Sequence, residues 1–368
     1  MDTSLQLGEL EQLTALVYGD TFELYDNQAF NEFLSPLYQR LSGNNISLDI
    51  FQGKRCLDAG CGGGRGSVLM AEAGAAEVVG VDISPTNIKS SSRRAEQRGL
   101  NQCRFEKYSL SALPFPNESF DIVWCNGVLH HTRDPDKCLQ EITRVLKVDG
   151  YLWLYLYGSG GIYWYVVDWI RDTLKGIQVR DCIYQLRLMN TPVRRIAEWI
   201  DDWFTGYLRR YTIADVTQRL GELGYEQTQA LQRGTIYDTS QRRIKASEAE
   251  LALMGEGDIR HFCRKASSPL GNCFSLPDPD NGKGSPYIDS REVTQFSESL
   301  NRLSDDLDML RDRLGHDIKA YKILVCSSVH SKVRSLLETD EPFDVQIFRQ
   351  HLVTLNELLA QFAFLPES

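Results

Sequence analysis

Between residues 54 and 157 the chain alternates short apolar runs with amphipathic ones, and that alternation predicts strand and helix in turn. KRCLDAG at 54–60 is apolar and bounded by glycine, as a buried strand is, and SVLMAEAG at 67–74 has the spacing of the helix that follows. VVGVDIS at 78–84 predicts a second buried strand. Strands alternating with helices predict an α/β fold with a parallel, doubly wound sheet and right-handed crossovers. Ligands are then expected beyond the carboxyl ends of the strands.

The flanking segments follow other rules. ELEQLTALVYG and AFNEFLSPLYQRL, within residues 1–50, carry apolar residues three and four apart and predict helices. Residues 159–210, with GSGGIYWYVVDWIRDTL and TPVRRIAEWIDDWF, form aromatic-rich helical patterns that an α/β core does not require. YTIADVTQRLGELGYEQTQALQRG at 211–234 predicts a helix stopped at Gly224. Residues 267–288 are dense in Pro, Gly, Asn and Asp, as a loop or linker is.

Beyond them, residues 289–368 predict a C-terminal helical unit. Val293, Phe296, Leu300, Leu303, Leu307, Leu310 and Leu314 make one heptad seam, and Val345, Phe348, Leu352, Leu355, Leu359 and Phe362 a second. The preferred expectation is a small antiparallel bundle of these helices with the 317–338 segment. A homodimer through the heptad helices is the alternative, although neither seam holds an Asn to fix a parallel register.

Chemistry enters at residues 57–67, LDAGCGGGRGS. Gly60, Gly62 and Gly64 fill the turn between the first strand and its helix, removing side chains where backbone must approach a ligand closely. A dinucleotide site needs G-x-G-x-x-G, yet Arg65 stands where the third glycine belongs. The pattern is D-x-G-x-G-x-G, with Asp58 ahead of the first glycine. A carboxylate there repels a pyrophosphate and attracts a cation such as an ammonium group or a sulfonium centre, which points to S-adenosylmethionine. Asp82 follows at roughly the 20-residue spacing at which a carboxylate grips two ribose hydroxyls.

The segment resembles motif I of the class I methyltransferases. Downstream, LPFPNESFDIVWCNGVLHH (113–131) and DPDKCLQEITRVLKVDGYLWLYLYG (134–158) are similar, in order and spacing, to the ubiquinone-biosynthesis type within that superfamily. The resemblance covers roughly residues 54–157, and more loosely to 233. It implies a Rossmann-like, mainly parallel seven-stranded sheet in the 51–158 core and its 211–266 end, where 211–234 resembles the family's closing helix, strand and hairpin, with a 1–50 cap over the cofactor and a substrate lid at 159–210. Carried over residue by residue, Asp58 and the Gly60 backbone hold the methionine part and Asn126 faces it. Asp82 takes the ribose, Ile83 lies against adenine, and the Leu110 N–H meets the ring. Two departures stand out. Ser109 occupies the position, four before Leu113, where most relatives have an acid for the adenine amino group, and a neutral hydroxyl binds it less strongly. KVDG at 147–150 replaces K-P-G-G, and Asp149-Gly150 still predicts a tight turn.

Methyl transfer is an in-line displacement that needs alignment more than acid–base machinery. For proton handling the candidates are His130 and His131, joined by Tyr18 and Tyr25 from the cap. The resemblance to phosphobase methyltransferases, at V-L-H 128–130, implies His130 as base with Tyr18 as its partner. The alternative is that the histidines only shape the loop.

Composition agrees with this picture. A chain of 368 residues leaves room for a second unit of roughly a hundred residues beside one such core. A net charge of −10 argues against a duplex nucleic-acid partner. No run reaches transmembrane length, and MDTSLQLGELEQL lacks the regions of a signal peptide, so a soluble cytoplasmic protein is expected. Nine cysteines without a C-x-x-C pair predict buried, reduced thiols and no metal. The insertion's Tyr163, Trp164, Tyr165, Trp169, Trp199 and Trp203, with Arg187, Arg194 and Arg195, suit a small or medium anionic or aromatic substrate bearing a carboxylate or phosphate, or a cation held over rings, or else a lid whose aromatics pack on the core. The first function expected is methylation of an O, N or C atom of a small metabolite. The second is a methyltransferase or scaffold for a protein or RNA partner recruited by the C-terminal helices.

Overall fold

The computed structural model describes residues 8–228, 230–231, 248–266, 290–314, 317–338 and 345–363. Along the chain the helices α1 (Glu9–Glu23) and α2 (Asn27–Gly43) precede β1 (Arg55–Ala59), α3 (Arg65–Glu72), β2 (Glu77–Asp82), α4 (Pro85–Gln97), β3 (Cys103–Lys107) and β4 (Phe120–Asn126). There follow α5 (Pro135–Val145), β5 (Leu146–Tyr157), α6 (Ile162–Thr173), α7 (Val179–Leu188), α8 (Val193–Phe204), α9 (Ile213–Glu222) and β6 (Tyr225–Glu226). The remaining elements are α10 (Glu248–Met254), β7 (Asp258–Lys265), α11 (Ser290–Leu314), α12 (Ile318–Glu338) and α13 (Val345–Ala363). They divide into two compact units, Met1–Gly158 with Phe204–Lys245 and Asp258–Asn281, and Ser159–Trp203 with Ala246–Gly257 and Gly282–Ser368.

The first unit holds a seven-stranded sheet in the order β3-β2-β1-β4-β5-β7-β6. The strands β1 to β5 run parallel, and β7 is antiparallel to both β5 and β6. This is the expected Rossmann-like α/β sheet, and the reversal of strand order beside β1 opens the crevice in which such sheets bind ligands. One face is apolar because alternate residues are: Leu57, Ala59, Val79, Val81, Val123, Cys125, Leu154 and Leu156 lie against Leu139 and Ile142 of α5 and Val216 and Leu220 of α9. Burying each such aliphatic side chain contributes about 1.5–3 kcal/mol. The other face carries a pair of stacked indoles, Trp124 and Trp153, 4.4 Å apart. Helix starts are set locally: Asp26, Ser84, Asp134 and Thr212 accept bonds from the N–H groups of Ala29, Asn87, Lys137 and Asp215, and Pro85 and Pro135 open α4 and α5.

At 147–150 the register jumps: Phe120 pairs with Leu146 but Ile122 with Tyr151, so KVDG loops out of β5 opposite Asp121, with Asp149 at φ +63, a conformation that turns use. The 267–288 loop and most of the hairpin after Leu231 lie outside the described residues.

The second unit is helical and combines the inserted segment with the C-terminal helices. The first heptad seam is buried through Phe296, Leu300, Leu303, Leu307 and Leu310, and Phe296 stacks on Phe348 of α13 at 5.2 Å. Helix α12 packs against α6, α7, α11 and α13. At its centre Trp203 Nε1–H, which can only donate, meets His330 Nδ1 at 2.9 Å. That leaves the proton on Nε2, 3.3 Å from the Tyr163 hydroxyl, which donates in turn to the Asp202 carboxylate.

Candidate functional site

All the residues singled out from the sequence as cofactor-binding or catalytic fall in the first unit, and most of them collect at the carboxyl edge of its sheet. Strand β1 ends at a glycine loop whose Gly60, Gly62 and Gly64 have φ of +79, +50 and +86. Only glycine holds such angles without strain. The close approach expected of a ligand is made here by the chain itself: a Cβ at Gly60 would sit 2.5 Å from Val128, and one at Gly62 2.6 Å from Phe22 of α1.

Two carboxylates flank this loop. Asp58 is buried, and its Oδ2 accepts from Ser67 Oγ at 2.6 Å. Burial pushes its pKa up to about 6 against the Ser67 bonds, with Asp82 adding to the rise. Asp82 accepts from the N–H of Gly62 at 2.9 Å, the N–H of Ser84 at 2.8 Å and Asn87 Nδ2 at 3.2 Å. Desolvation raises its pKa while those donors favour the charged form. Paired acids at a strand edge make the crevice attract a cation.

Ile83 follows Asp82, half-buried. The chain after β3 returns to the same place, because Tyr108 N bonds to Asp82 O at 3.2 Å, which brings Ser109 and Leu110 beside the β2 end. The Ser109 hydroxyl bonds to Ser111 Oγ at 2.9 Å, and Leu110 is buried. Asn126, at the end of β4, is fixed by Trp153 Nε1 at 3.0 Å. Cys61 and Cys125 are buried, and burial drives both thiols well above their ordinary values, so they stay protonated.

The histidines lie in the short turn after β4. His130 is fully buried, both of its ring nitrogens lack a hydrogen-bond partner, and its ring stacks on Tyr157 at 4.0 Å. Burial, then His131, pulls its pKa well below the usual value. His131 Nδ1 bonds to the Tyr207 carbonyl at 2.8 Å, and Arg209 N to the His130 carbonyl at 3.0 Å, which braces the turn. Tyr18, expected beside His130, meets the ring of His131 edge-on at 5.5 Å and stacks on Phe22 at 5.6 Å. The cap thus reaches the glycine loop and the histidine turn together, while the His130 ring meets Tyr157, His131 and Tyr155.

Sequence reasoning missed α4. Asn87, Ser91 and Arg94 share one helix face: Asn87 bonds Asp82, Ser91 Oγ bonds the Gly62 carbonyl at 2.7 Å, and Arg94 bonds the Gly63 carbonyl at 3.1 Å. The signal was polar residues four and three apart in a helix that immediately follows a binding aspartate. Among the described residues no cluster of three His, Cys, Asp or Glu could hold a metal, and no helix is long and apolar enough to cross a membrane.

Residues 57–154 match the family described as Methyltransferase domain. Over 96 residues the chain is 38% identical to the uncharacterized methyltransferase YcgJ of Bacillus subtilis, covering 26% of this chain and 38% of that one. It is 33% identical over 128 residues to 27-O-demethylrifamycin SV methyltransferase of Amycolatopsis mediterranei, 34% of this chain and 46% of that one. It is 35% identical over 120 residues to a ubiquinone biosynthesis O-methyltransferase of Actinobacillus pleuropneumoniae, 30% of this chain and 51% of that one. The matches therefore span about half or less of these relatives' lengths. A crystal structure of the YcgJ protein, 19% identical, aligns over 61% of this chain and 94% of that one with a TM-score of 0.38.

Proposed function

Residues 57–154 form a class I S-adenosylmethionine-dependent methyltransferase domain, and from that premise we propose that the whole chain methylates an O, N or C atom of a small metabolite. When bound, S-adenosylmethionine supplies an electrophilic methyl carbon on a sulfonium leaving group. The observation that carries the reading is the acid pair around the glycine loop, buried Asp58 and N–H-oriented Asp82. It fits a ligand with an ammonium at one end and a ribose diol at the other.

In this reading Asp58 and the Gly60 backbone hold the methionine part, with Asn126 facing it from β4. Asp82 takes the ribose hydroxyls, Ile83 lies against adenine, and the Leu110 N–H and Ser109 hydroxyl meet the ring edge. These residues would hold the donor with its methyl group open to an in-line nucleophile, and transfer of that methyl is the chemistry it would supply. A proton released from an O or N acceptor passes to His130, which is neutral and has no competing partner. Two of the relatives carry names that specify 27-O-demethylrifamycin SV and ubiquinone biosynthesis, which supports a small acceptor.

Calorimetry with S-adenosylhomocysteine tests this directly. Micromolar binding by the wild-type chain and a loss of roughly a hundredfold in Asp82→Ala are expected. Equal affinity of the two proteins, or no uptake by either, overturns the assignment.

A further inference from the structure

Arg94 of α4 is 4% exposed, and its guanidinium donates to main-chain carbonyls. One terminal nitrogen donates to Gly63 O at 3.1 Å, and the other to Phe22 O and Tyr25 O, each at 3.1 Å. The guanidinium lies over the Phe30 ring of α2 at 4.9 Å. Burial, with Arg93, Arg65 and Arg98 nearby, brings its pKa down to about 10, so it remains charged at neutral pH. A buried cation is costly where an apolar side chain could fill the same space, and these bonds offset the cost only while both carbonyl sets stay in place.

Those carbonyls belong to two different parts of the first unit. Gly63 is in the glycine loop, Phe22 is in the last turn of α1 with its ring also covering Gly62, and Tyr25 lies in the link from α1 to α2. The fork of the guanidinium spans them in one rigid plane, which a lysine's single ammonium cannot reproduce. One turn earlier, Ser91 holds the Gly62 carbonyl, so a face of α4 fixes two successive peptides of the loop. Because a trans peptide points its N–H opposite its C=O, the Gly63 N–H is directed away from α4.

We propose that Arg94 is a positioning residue that couples the glycine loop to the N-terminal cap, so that a filled loop holds α1 in place and a docked α1 tightens the loop's grip on its ligand. Linkage makes the two effects equal in free energy. The ligand's identity rests on the methyltransferase reading, whereas the mechanical coupling does not.

Hydrogen exchange on the full chain, with and without S-adenosylhomocysteine, separates the two. In wild type, ligand is expected to slow exchange in α1 as well as in residues 60–66. Arg94→Met is expected to raise exchange in both segments together without ligand, to weaken S-adenosylhomocysteine about tenfold, and to abolish ligand protection of α1. Arg93→Met, which removes an exposed neighbouring charge, is expected to match wild type. Should Arg94→Met not fold, Arg94→Lys carries the test: it keeps the charge but not the fork, and is expected to bind ligand without protecting α1. Ligand protection of α1 that survives in the variant, or a loop that loosens alone, overturns the coupling. Failure of wild type to bind S-adenosylhomocysteine overturns the ligand assignment, and the unliganded exchange still decides the role of Arg94.

Discussion

Two buried histidines, one in each unit, differ in their hydrogen bonding. In the helical unit His330 has both nitrogens matched in a single directional run from Trp203 through Tyr163 to Asp202. In the sheet unit His130 is as deeply buried and has neither nitrogen matched. Native interiors rarely leave polar groups unpaired, so the first arrangement is what stability selects, and the second fits the proton-accepting role proposed for His130.

The largest effect tests the edge where the unmatched histidine stands. Gly60→Val puts a branched side chain at φ +79 and 2.5 Å from Val128, so S-adenosylhomocysteine binding should disappear while most of the far-UV helical signal remains. Retained affinity would mean that the glycine loop is not the cradle. Next come the histidines themselves. His330→Leu leaves the Trp203 N–H and a buried carboxylate network short of a partner and should cost about 3 kcal/mol in denaturant melts. His130→Leu should stay within about 1 kcal/mol of wild type yet slow turnover on its acceptor roughly a hundredfold. Reversal of that order would erase the contrast.

A smaller effect is pH-dependent. Asp58 has a folded pKa near 6 against an ordinary 3.8. For an acid raised on folding, its contribution is fully present below the unfolded value and is lost as pH climbs through the folded one. Asp58→Asn should therefore be more stable than wild type at pH 7.5 by up to about 3 kcal/mol, with the advantage gone near pH 4. In the same window a ligand ammonium needs the ionised form, so wild-type affinity should fall about tenfold per unit below pH 6. The smallest change is Ser109→Asp, which restores a charged acceptor at the adenine edge and should tighten S-adenosylhomocysteine severalfold in calorimetry.

Much of the sheet unit was legible because its signals are local. A glycine run between an apolar strand and a helix, with a second strand ending in Asp82, specifies loop, crossover and crevice within a few turns of chain. What the sequence hid was long-range. Nothing near Tyr18 says that it will meet His131 rather than His130, and Val128 and Phe22 contact the glycines from segments remote in sequence. Arg94 reads locally as a solvated helix position, and only the fold turns it inward. The partnership of the inserted helices with the C-terminal ones was likewise unreadable, since each segment shows only an apolar face and not the face it will meet.

That partnership governs how the protein can be made. The helical unit is stitched from Ser159–Trp203, Ala246–Gly257 and Gly282–Ser368, so a ribosome releases α6 and α7 long before the helices that will shelter them. During synthesis α6 and α7 lack α12 as a packing partner until the chain has passed residue 338. Cutting the gene after residue 266 would make that lack permanent, yielding a sticky fragment instead of a trimmed enzyme.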